Sequence, residues 1–343
     1  MASGLQPTID RAAPLVPRRR FFAPDPPAAI ADEAYWIKVQ RRAMACRFEI
    51  TLDSRDAGFV PVAQDALNLV DAIEAQLTVF RDTSDLVHLN RHAAAEPVPC
   101  DRTLFALLTR CASLSADTDG AFDITTTPLS RCWGFLRRSG RLPAESEIAA
   151  ARDRVGMRHV TLDPAAMTVR FAQPGVELNL GAVGKGYALD RIAVTLRRAG
   201  VRRALLSAGQ SSLLAIGAPD RGWPIDIVSP RRDAPIARVW LRDAALGTSG
   251  AGEQFVIVDG RRYGHVLDPR TGWPSEGRLS ATVACASAAD ADALSTAFLV
   301  AGPPLAERYC RAHPDVLALV TPDAEPSATF VIGSHAGAEV HGL

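Results

Sequence analysis

The 343-residue sequence has no excess of charge of either sign, because lysine and arginine together number 38 and so do aspartate and glutamate. A chain without net charge offers no overall field to attract nucleic acid or an anionic membrane surface. It also lacks any apolar run of the roughly 18 residues that a membrane-spanning helix requires. We therefore expect a soluble protein that binds no nucleic acid and has no membrane span.

Several signatures of metal and nucleophile chemistry are missing as well. The six cysteines include no CxxC pair and no Cys/His cluster at zinc spacing, which favours a reduced compartment. The sequence contains no GxSxG nucleophile elbow, no Walker A loop and no GxGxxG fingerprint. Any catalytic chemistry must therefore come from a different arrangement of residues.

The first 35 residues differ in composition from the rest. Arginines and phenylalanines at residues 18–22 are similar to the start of a twin-arginine export signal, but no apolar stretch follows them. The proline-rich stretch over residues 24–27 instead favours an extended, solvated segment. We predict a disordered or draped extension over residues 1–35, a domain over residues 36–335 and a C-terminal tail over residues 336–343, with the cytoplasm as the default location.

Hydrophobic periodicity predicts helices and strands in mixed order. Helical spacing marks residues 60–80, 101–117 and 184–200, with Asp101 as the N-cap of the second helix. Alternation predicts a β-hairpin about Asp259 and Gly260. Further predicted elements are the strands HVTL, MTVRF, ALLSA, LSATVACA, VLALVT and ATFVIG and the helices ASAADADALSTAFLVAG and PLAERYCRA. This order, without a repeat period, indicates an α+β or irregular α/β fold.

The segment LNLGAVGKGYALD, residues 178–190, places three glycines and Lys185 between an apolar strand and a helix. A turn of this kind presents backbone N–H groups and the positive end of a helix dipole to an anion, and a lysine adds a mobile cation. A plain glycine-rich turn explains the same residues. The segment therefore leaves phosphate binding and a structural turn both open.

Asp292 and Thr296 lie four residues apart in a predicted helix, so they share one face about one turn from each other. Their carboxylate and hydroxyl groups are hard oxygen ligands that suit Mg2+. The pair also has a structural interpretation. An aspartate near a helix N-terminus favours the helix dipole, and a threonine commonly donates to the carbonyl four residues earlier.

Two further segments carry small and polar residues. GAFDITTTPLSRCWGF, residues 120–135, sets Asp123 ahead of aromatic residues, which suits a nucleotide pocket and equally a cap and a turn. LGTSGAG, residues 246–252, predicts a flexible segment just before the hairpin.

His265 is the strongest candidate for proton transfer, because imidazole has an unperturbed pKa of about 6.5. It lies in GRRYGHVLDPRTGWP, residues 260–274, whose glycines and prolines predict a rigid turn. His88 and His92 lie four residues apart but have no third metal ligand in a known motif, so they indicate a solvated helix face.

Taken in chain order, blocks across residues 36–335 resemble the ApbE-type FAD:protein FMN transferase family. The blocks are RAMACRFEI, LTVFRDTSDLVHLNR, GAFDITTTPLSRCWGF, ELNLGAVGKGYALD, LGTSGAGEQF, GHVLDPRTGWP and ADALSTAF. The resemblance implies a mixed α/β fold of the ApbE or T-fold type, with largely antiparallel sheets flanked by helices.

The same resemblance implies an activity. FAD would bind in a cleft with its diphosphate bridged by Mg2+, and a serine or threonine hydroxyl of a partner protein would attack the phosphorus on the FMN side. AMP would then leave. FAD is thus expected as the substrate, Mg2+ as the cofactor and an acceptor protein as the partner, with no oligomeric state indicated.

The resemblance also implies roles for individual residues. His265 would be the general base. The implied Mg2+ ligands are the side chains of Asp292 and Thr296 and the backbone carbonyl of Ala182. The implied FAD contacts are Met44, Phe80, Ala121, Phe122, Asp123, Asn179, Lys185 and Val266, the last through its backbone.

Several residues depart from the family pattern. Gln210 and Ser211 stand where the pattern has glycine and an acid or amide, and Ala251 and Gly252 stand where an Asp-Tyr pair is usual. Phe80 lacks the hydroxyl of the usual tyrosine. These positions are expected at the pocket rim, so they concern acceptor choice and turnover more than FAD binding.

Two other functions are compatible with these residues. A related hydrolase would split FAD into FMN and AMP with water as the nucleophile, and the same histidine could serve as its base. A non-catalytic FAD-binding protein would have lost turnover. The joint presence of Asp292, Thr296, Lys185 and His265 favours transfer, because a binding protein has no need of a base.

Overall fold

The computed structural model describes residues 22–24, 35–229, 231, 235–250, 252, 254–324 and 328–342. Most of the predicted extension over residues 1–35 therefore lies outside the described residues, as does Ala251. In these described ranges, no helix is both long and apolar enough to cross a membrane.

Strands and helices alternate irregularly along the chain. The strands are β1 (Phe22–Pro24), β2 (Trp36–Ala43), β3 (Cys46–Asp53), β4 (Val98–Pro99), β5 (Val160–Asp163), β6 (Thr168–Phe171), β7 (Ala204–Ala208), β8 (Ser212–Ile216), β9 (Trp223–Val228), β10 (Pro235–Leu241), β11 (Ala245–Gly250), β12 (Phe255–Val258), β13 (Arg261–Gly264), β14 (Arg278–Cys285), β15 (Leu317–Pro322), β16 (Phe330–Gly333) and β17 (Ala338–His341). The α-helices are α1 (Val60–Leu77), α2 (Asp85–His92), α3 (Arg102–Asp117), α4 (Thr127–Cys132), α5 (Glu145–Arg152), α6 (Gly184–Arg198), α7 (Ala288–Ala301) and α8 (Pro303–Ala312).

The largest sheet has eight strands in the order β16-β15-β14-β11-β8-β7-β3-β2, and each neighbouring pair is antiparallel. Successive side chains of a strand point to opposite faces, so the sheet separates two cores. Leu206 of β7 packs in the core shared with α1, α6 and α7, whereas Leu205 packs in the core shared with a second sheet. The prediction of an α+β fold with largely antiparallel sheets flanked by helices is confirmed.

The second sheet has four antiparallel strands in the order β1-β9-β10-β17. It packs on the larger sheet, and the rings of Trp36 and Trp223 lie 4.9 Å apart between them. β1 comes from the predicted N-terminal extension and β17 from the predicted C-terminal tail. The predicted elements do not include β9 and β10, in which Pro224 and Pro235 weaken the strand pattern.

Most of the predicted elements are confirmed. Asp101 caps α3, because its carboxylate accepts hydrogen bonds from the backbone N–H groups of Thr103 and Leu104 at 2.8 and 3.3 Å. β12 and β13 form the predicted hairpin, and Asp259 and Gly260 at its turn both have positive φ. The rings of His88 and His92 on α2 are exposed and lie 4.6 Å apart, in agreement with the predicted solvated helix face.

Helix α7 lies against the backbone of two neighbours, at Gly186 of α6 and Gly247 of β11. A Cβ on Gly186 would lie 2.0 Å from the carbonyl oxygen of Ala288, and one on Gly247 would lie 2.4 Å from the carbonyl carbon of Ala291. Side chains do not tolerate contacts this short, since protein interiors are close-packed. Both positions therefore require glycine for α7 to occupy its place.

The prediction of a flexible segment at LGTSGAG is wrong for residues 246–250. They belong to β11, which lies inside the eight-stranded sheet and is largely buried. The physical reason is that Gly247 makes room for α7. A glycine in a strand often marks such a close approach of another backbone.

A smaller core, here called the tryptophan cluster, lies apart from the main one. It contains the buried side chains of Leu129, Trp133, Phe135, Ile148, Ala151, Val155, Tyr263 and Leu267, with Trp273 packed against them. Trp133 is central, since its ring lies within 6.2 Å of the rings of Phe135, Tyr263 and Trp273 and its Nε1–H donates to the carbonyl of Gly272 at 2.9 Å. The cluster therefore joins α4 and α5 to the β12–β13 hairpin and the loop after it.

We predict that Gly247→Ala destabilises the protein by at least about 2 kcal/mol, because overpacking of a filled core costs roughly 1–3 kcal/mol and here the obstacle is backbone. Urea unfolding monitored by circular dichroism measures the change. Gly58→Ala is the matched control, because a Cβ on Gly58 meets nothing within 4 Å. Equal stabilities of the two variants would contradict the packing assigned to Gly247.

Candidate active site

A cleft of about 460 Å³ opens between the main core and the tryptophan cluster. Its walls come from the segment over residues 121–138, the glycine loop before α6, helix α7 with β11, and the segment after β13. The predicted site residues that line it are Phe80, Ala121, Phe122, Asp123, Asn179, Ala182, Lys185, His265, Val266, Asp292 and Thr296. All predicted site residues except Met44 thus meet in one place.

Met44 lies in the turn between β2 and β3, with φ 48°, and packs half-buried against the main core. It is not among the residues that line the cleft. A Cβ on Gly209 would lie 3.0 Å from the Cβ of Cys46, so this turn is adjacent to the Gly209–Gln210 turn between β7 and β8. Met44 is therefore close to the β7–β8 turn but outside the cleft itself.

The glycine loop, residues 179–183, is held in place by its first residue, Asn179. The backbone N–H of Asn179 donates to the carbonyl of Ile124 at 2.7 Å, and its side-chain Oδ1 accepts from the N–H of Gly181 at 2.8 Å. Helix α6 then begins at Gly184, and Lys185 lies in its first turn. The loop thus presents a helix N-terminus and a lysine to the cleft, an arrangement suited to an anion.

Asp292 is a buried carboxylate, with 6% of its surface exposed. Its Oδ1 accepts from the Ser212 hydroxyl at 2.6 Å, and its Oδ2 accepts from the Gly186 N–H at 2.8 Å. Burial raises the pKa of Asp292 to about 6, although the charge of Lys185 acts in the opposite direction. A positive charge bound beside this carboxylate would relieve the cost of its burial.

Thr296 lies one turn after Asp292. Its Oγ1 donates to the Asp292 carbonyl at 3.1 Å, as in the structural interpretation of the pair, and also lies 3.0 Å from the Ser249 Oγ. Both side chains line the cleft. The structural and functional interpretations therefore coexist at these two residues.

Lys185 and Ser211 connect the glycine loop to the β7–β8 turn, because the ammonium group donates to the Ser211 hydroxyl. Gln210 occupies this turn with φ 60°, a conformation that favours glycine. Ser211, which stands where the family pattern has an acid or amide, thus contacts Lys185, the predicted phosphate-binding lysine. Gln210 itself does not line the cleft.

His265 directly follows β13. Its backbone N–H donates to the Gln254 carbonyl at 3.0 Å, and its Nδ1 lies 3.2 Å from the same oxygen. When Nδ1 carries the ring proton, Nε2 is the nitrogen that can accept a proton. The tautomer set by Gln254 therefore suits a general base.

The loop after His265 is rigid. The Asp268 carboxylate accepts from the backbone N–H and the guanidinium of Arg270 at 2.7 to 2.9 Å, and the Asp268 carbonyl accepts from the Gly272 N–H at 2.8 Å. Arg270 is thus paired within the loop and does not line the cleft. The tryptophan cluster fixes the other side of this loop through the Trp133–Gly272 hydrogen bond.

Asp123 lines the cleft, but its carboxylate accepts hydrogen bonds from nearby residues of the protein. Its carboxylate accepts from the Thr125 N–H and hydroxyl at 2.8 and 2.6 Å and from the Met157 N–H at 3.0 Å. Burial raises the pKa of Asp123. Phe80, by contrast, is 75% exposed and forms an apolar part of the rim.

Other residues line the cleft without having been assigned a role from the sequence. They include Thr126, Ser130, Phe135, Leu136, Arg138, Ser249 and Gln254. Most of them lie in the segment that follows the Gly-Ala-Phe-Asp block, and only the tryptophan cluster places that segment beside His265.

The chain matches the ApbE family over residues 44–320. It is 30% identical over 271 residues to the FAD:protein FMN transferase of Escherichia coli (strain K12), with 76% of this chain and 77% of that protein covered. It is 32% identical over 304 residues to the FAD:protein FMN transferase of Treponema pallidum, with 83% of each covered.

Solved structures agree with this similarity. The ApbE protein from Thermotoga maritima superposes with a TM-score of 0.79 at 30% identity, covering 87% of this chain and 97% of that chain. The flavinyl transferase ApbE from Pseudomonas stutzeri superposes with a TM-score of 0.76 at 27% identity, covering 89% and 96%. The extent of these matches shows that the chain belongs to the ApbE family.

Proposed function

We propose that this member of the ApbE family transfers the FMN moiety of FAD to a serine or threonine hydroxyl of a partner protein and releases AMP, with Mg2+ as cofactor. The observation that carries the proposal is the meeting of His265, Lys185, Asp292 and Thr296 in one cleft. These residues come from three distant parts of the chain. The names of the curated relatives support FAD as the donor and a protein as the acceptor.

The reaction exchanges a phosphoanhydride bond for a phosphoester bond. The acceptor oxygen forms a bond to the phosphorus on the FMN side of the diphosphate, and the bond from that phosphorus to the bridging oxygen breaks. The bonding electron pair leaves with AMP. The hydroxyl proton goes to Nε2 of His265, which has the tautomer for this task when Nδ1–H donates to Gln254.

Positioning accounts for much of the catalysis in such a transfer, because little covalent chemistry is left to the protein. The glycine loop and Lys185 would hold the diphosphate from one side of the cleft. His265 would hold the acceptor hydroxyl from the other, on a hairpin that the tryptophan cluster anchors. The two groups therefore approach the phosphorus from separate walls.

The oxygen atoms that α7 and the glycine loop supply to the cleft suit Mg2+. The donor set consists of the Asp292 carboxylate, the Thr296 hydroxyl and the Ala182 carbonyl, all hard oxygen atoms, and Mg2+ completes such sets with water and substrate phosphates. No group of three or more histidine, cysteine or acidic side chains that could hold a metal occurs in the described part of the chain. The proposed set contains only one such side chain. Bound there, Mg2+ would neutralise charge on the diphosphate.

The decisive experiment incubates the protein with FAD, Mg2+ and candidate acceptor proteins and detects covalent flavin fluorescence on a denaturing gel, with AMP measured in parallel. Transfer predicts a fluorescent acceptor and one AMP for each flavin attached. AMP with free FMN and no labelled protein would identify a hydrolase instead. Tight FAD binding without AMP release in excess Mg2+ would identify a non-catalytic protein.

We predict that His265→Gln lowers the rate of FMN transfer by about 100-fold to 10,000-fold, the usual contribution of a general base. FAD affinity, measured by quenching of flavin fluorescence, stays near that of the unaltered protein because the base acts on the acceptor. His88→Gln is the control, since His88 is exposed on α2 and outside the cleft. Unimpaired transfer by His265→Gln would remove His265 from the mechanism.

We predict that Asp292→Asn weakens Mg2+ binding by at least about tenfold, the lower end of the loss seen even for residues that support a metal ligand. Calorimetric titration of Mg2+ in the presence of FAD measures the affinity, and thermal unfolding checks the fold. Asp290→Asn is the matched control, because Asp290 lies on the same helix but pairs with Arg110 outside the cleft. Equal Mg2+ affinities of the two variants would contradict the assignment.

A further inference from the structure

Arg138 is a cleft residue that the family resemblance does not assign. It lies in the 133–141 loop, which is closed by backbone hydrogen bonds from Ser139 N–H to the Gly134 carbonyl and from Arg141 N–H to the Trp133 carbonyl, both 3.0 Å. The loop presents Phe135, Leu136 and Arg138 to the cleft. A charged side chain therefore borders the cleft beside the tryptophan cluster.

The charged side chains of the cleft differ in their partners. Lys185 donates to Ser211, Asp123 and Asp292 accept hydrogen bonds, and His265 contacts the Gln254 carbonyl. Arg138 is exposed, and within the described ranges its guanidinium has no hydrogen-bond or ion-pair partner. It is thus a cation at the cleft whose donors are available to a ligand.

The 133–141 loop is fixed to the hairpin that carries His265. A Cβ on Gly140 would lie 3.2 Å from the Val256 Cβ of β12, and Trp133 donates to Gly272 in the loop after His265. The base forms a hydrogen bond to the attacking hydroxyl, and the oxygen of that hydroxyl forms the new bond to phosphorus. The base therefore lies close to the reacting phosphate. An arginine on an adjoining wall is therefore well placed to reach that phosphate.

Charge balance in the cleft supports the same conclusion. A nucleotide diphosphate brings two negative charges to a cleft already lined by the Asp123 and Asp292 carboxylates. Mg2+ and Lys185 would supply three positive charges against these four negative ones, and Arg138 is the other permanently cationic side chain among the described residues lining the cleft. A guanidinium group can donate two parallel hydrogen bonds to phosphate oxygens. An arginine without a partner in the protein therefore suits a diphosphate better than it suits a neutral ligand.

We propose that Arg138 is a substrate-binding residue whose guanidinium contacts the diphosphate of FAD from the side of the cleft formed by the tryptophan cluster. The inference rests on the proposed function, because that function places FAD in the cleft. It adds a specificity determinant: Arg138 distinguishes phosphorylated flavins from riboflavin. Arg138 has φ 55°, a backbone conformation that glycine adopts readily, so its replacement by glycine preserves the loop.

The test measures equilibrium binding of FAD and of riboflavin by fluorescence quenching. Arg138→Gln and Arg138→Gly are expected to bind FAD about tenfold to a hundredfold more weakly, as for loss of a hydrogen bond to a charged group. Riboflavin affinity and thermal unfolding stay unchanged. Arg137→Gln is the matched control, because it removes the same charge one residue away, at an exposed position that does not line the cleft.

Each other outcome is decisive. FAD affinity of Arg138→Gln equal to that of Arg137→Gln would overturn the assignment. Unchanged FAD affinity with a raised KM for the acceptor protein would place Arg138 against the acceptor and overturn it as well. The unaltered protein is assayed separately: if it binds no FAD, the proposed function fails together with the inference, whereas FAD binding and transfer without an effect of Arg138 leave the function standing.

Discussion

The backbone contact of α7 with Gly186 and Gly247 is the constraint on which the cleft depends. The same Gly186 that leaves room for α7 also donates its N–H to the Asp292 carboxylate. A side chain there would push the helix away and move the donor. Burial, hydrogen bonding and position of Asp292 are thus consequences of one close approach between two helices.

Other contacts fix the N-terminal end of α7. The Asp190 carboxylate of α6 accepts from the Ser287 hydroxyl and from the N–H groups of Ala288 and Ala289 at 2.8 to 3.0 Å, which caps the N-terminus of α7. Burial raises the pKa of Asp190, while these hydrogen bonds act in the opposite direction. Arg110 of α3 pairs with Asp290 on the outer side. The helix therefore presents Asp292 and Thr296 from a rigid platform.

The opposite wall has a separate origin. Trp133 holds the hairpin of His265 and the 133–141 loop in one small core, distinct from the core behind α7. In the proposed transfer, His265 and the phosphate-binding Lys185 act from different sides of the reacting phosphorus. Two cores that meet at a cleft provide this separation, since each wall is fixed by its own packing.

The sequence by itself determined the local elements and the chemistry available to them. Hydrophobic periodicity and capping residues identified α1, α3 and the β12–β13 hairpin, because such elements are determined by residues close together in the chain. The ordered motifs identified the family and eleven of the residues that line the cleft, among them Lys185, His265 and Asp292. Local residue patterns suffice for both.

Only the tertiary structure decided which residues share the cleft and why. Gly247 resembles a flexible glycine in sequence, but packing against α7 places it in a buried strand. Arg138 belongs to no motif, and Met44 belongs to one but lies outside the cleft. Contacts between residues far apart in the chain, such as Trp133 with Gly272, leave no periodic signal, so the position of each wall follows from packing alone.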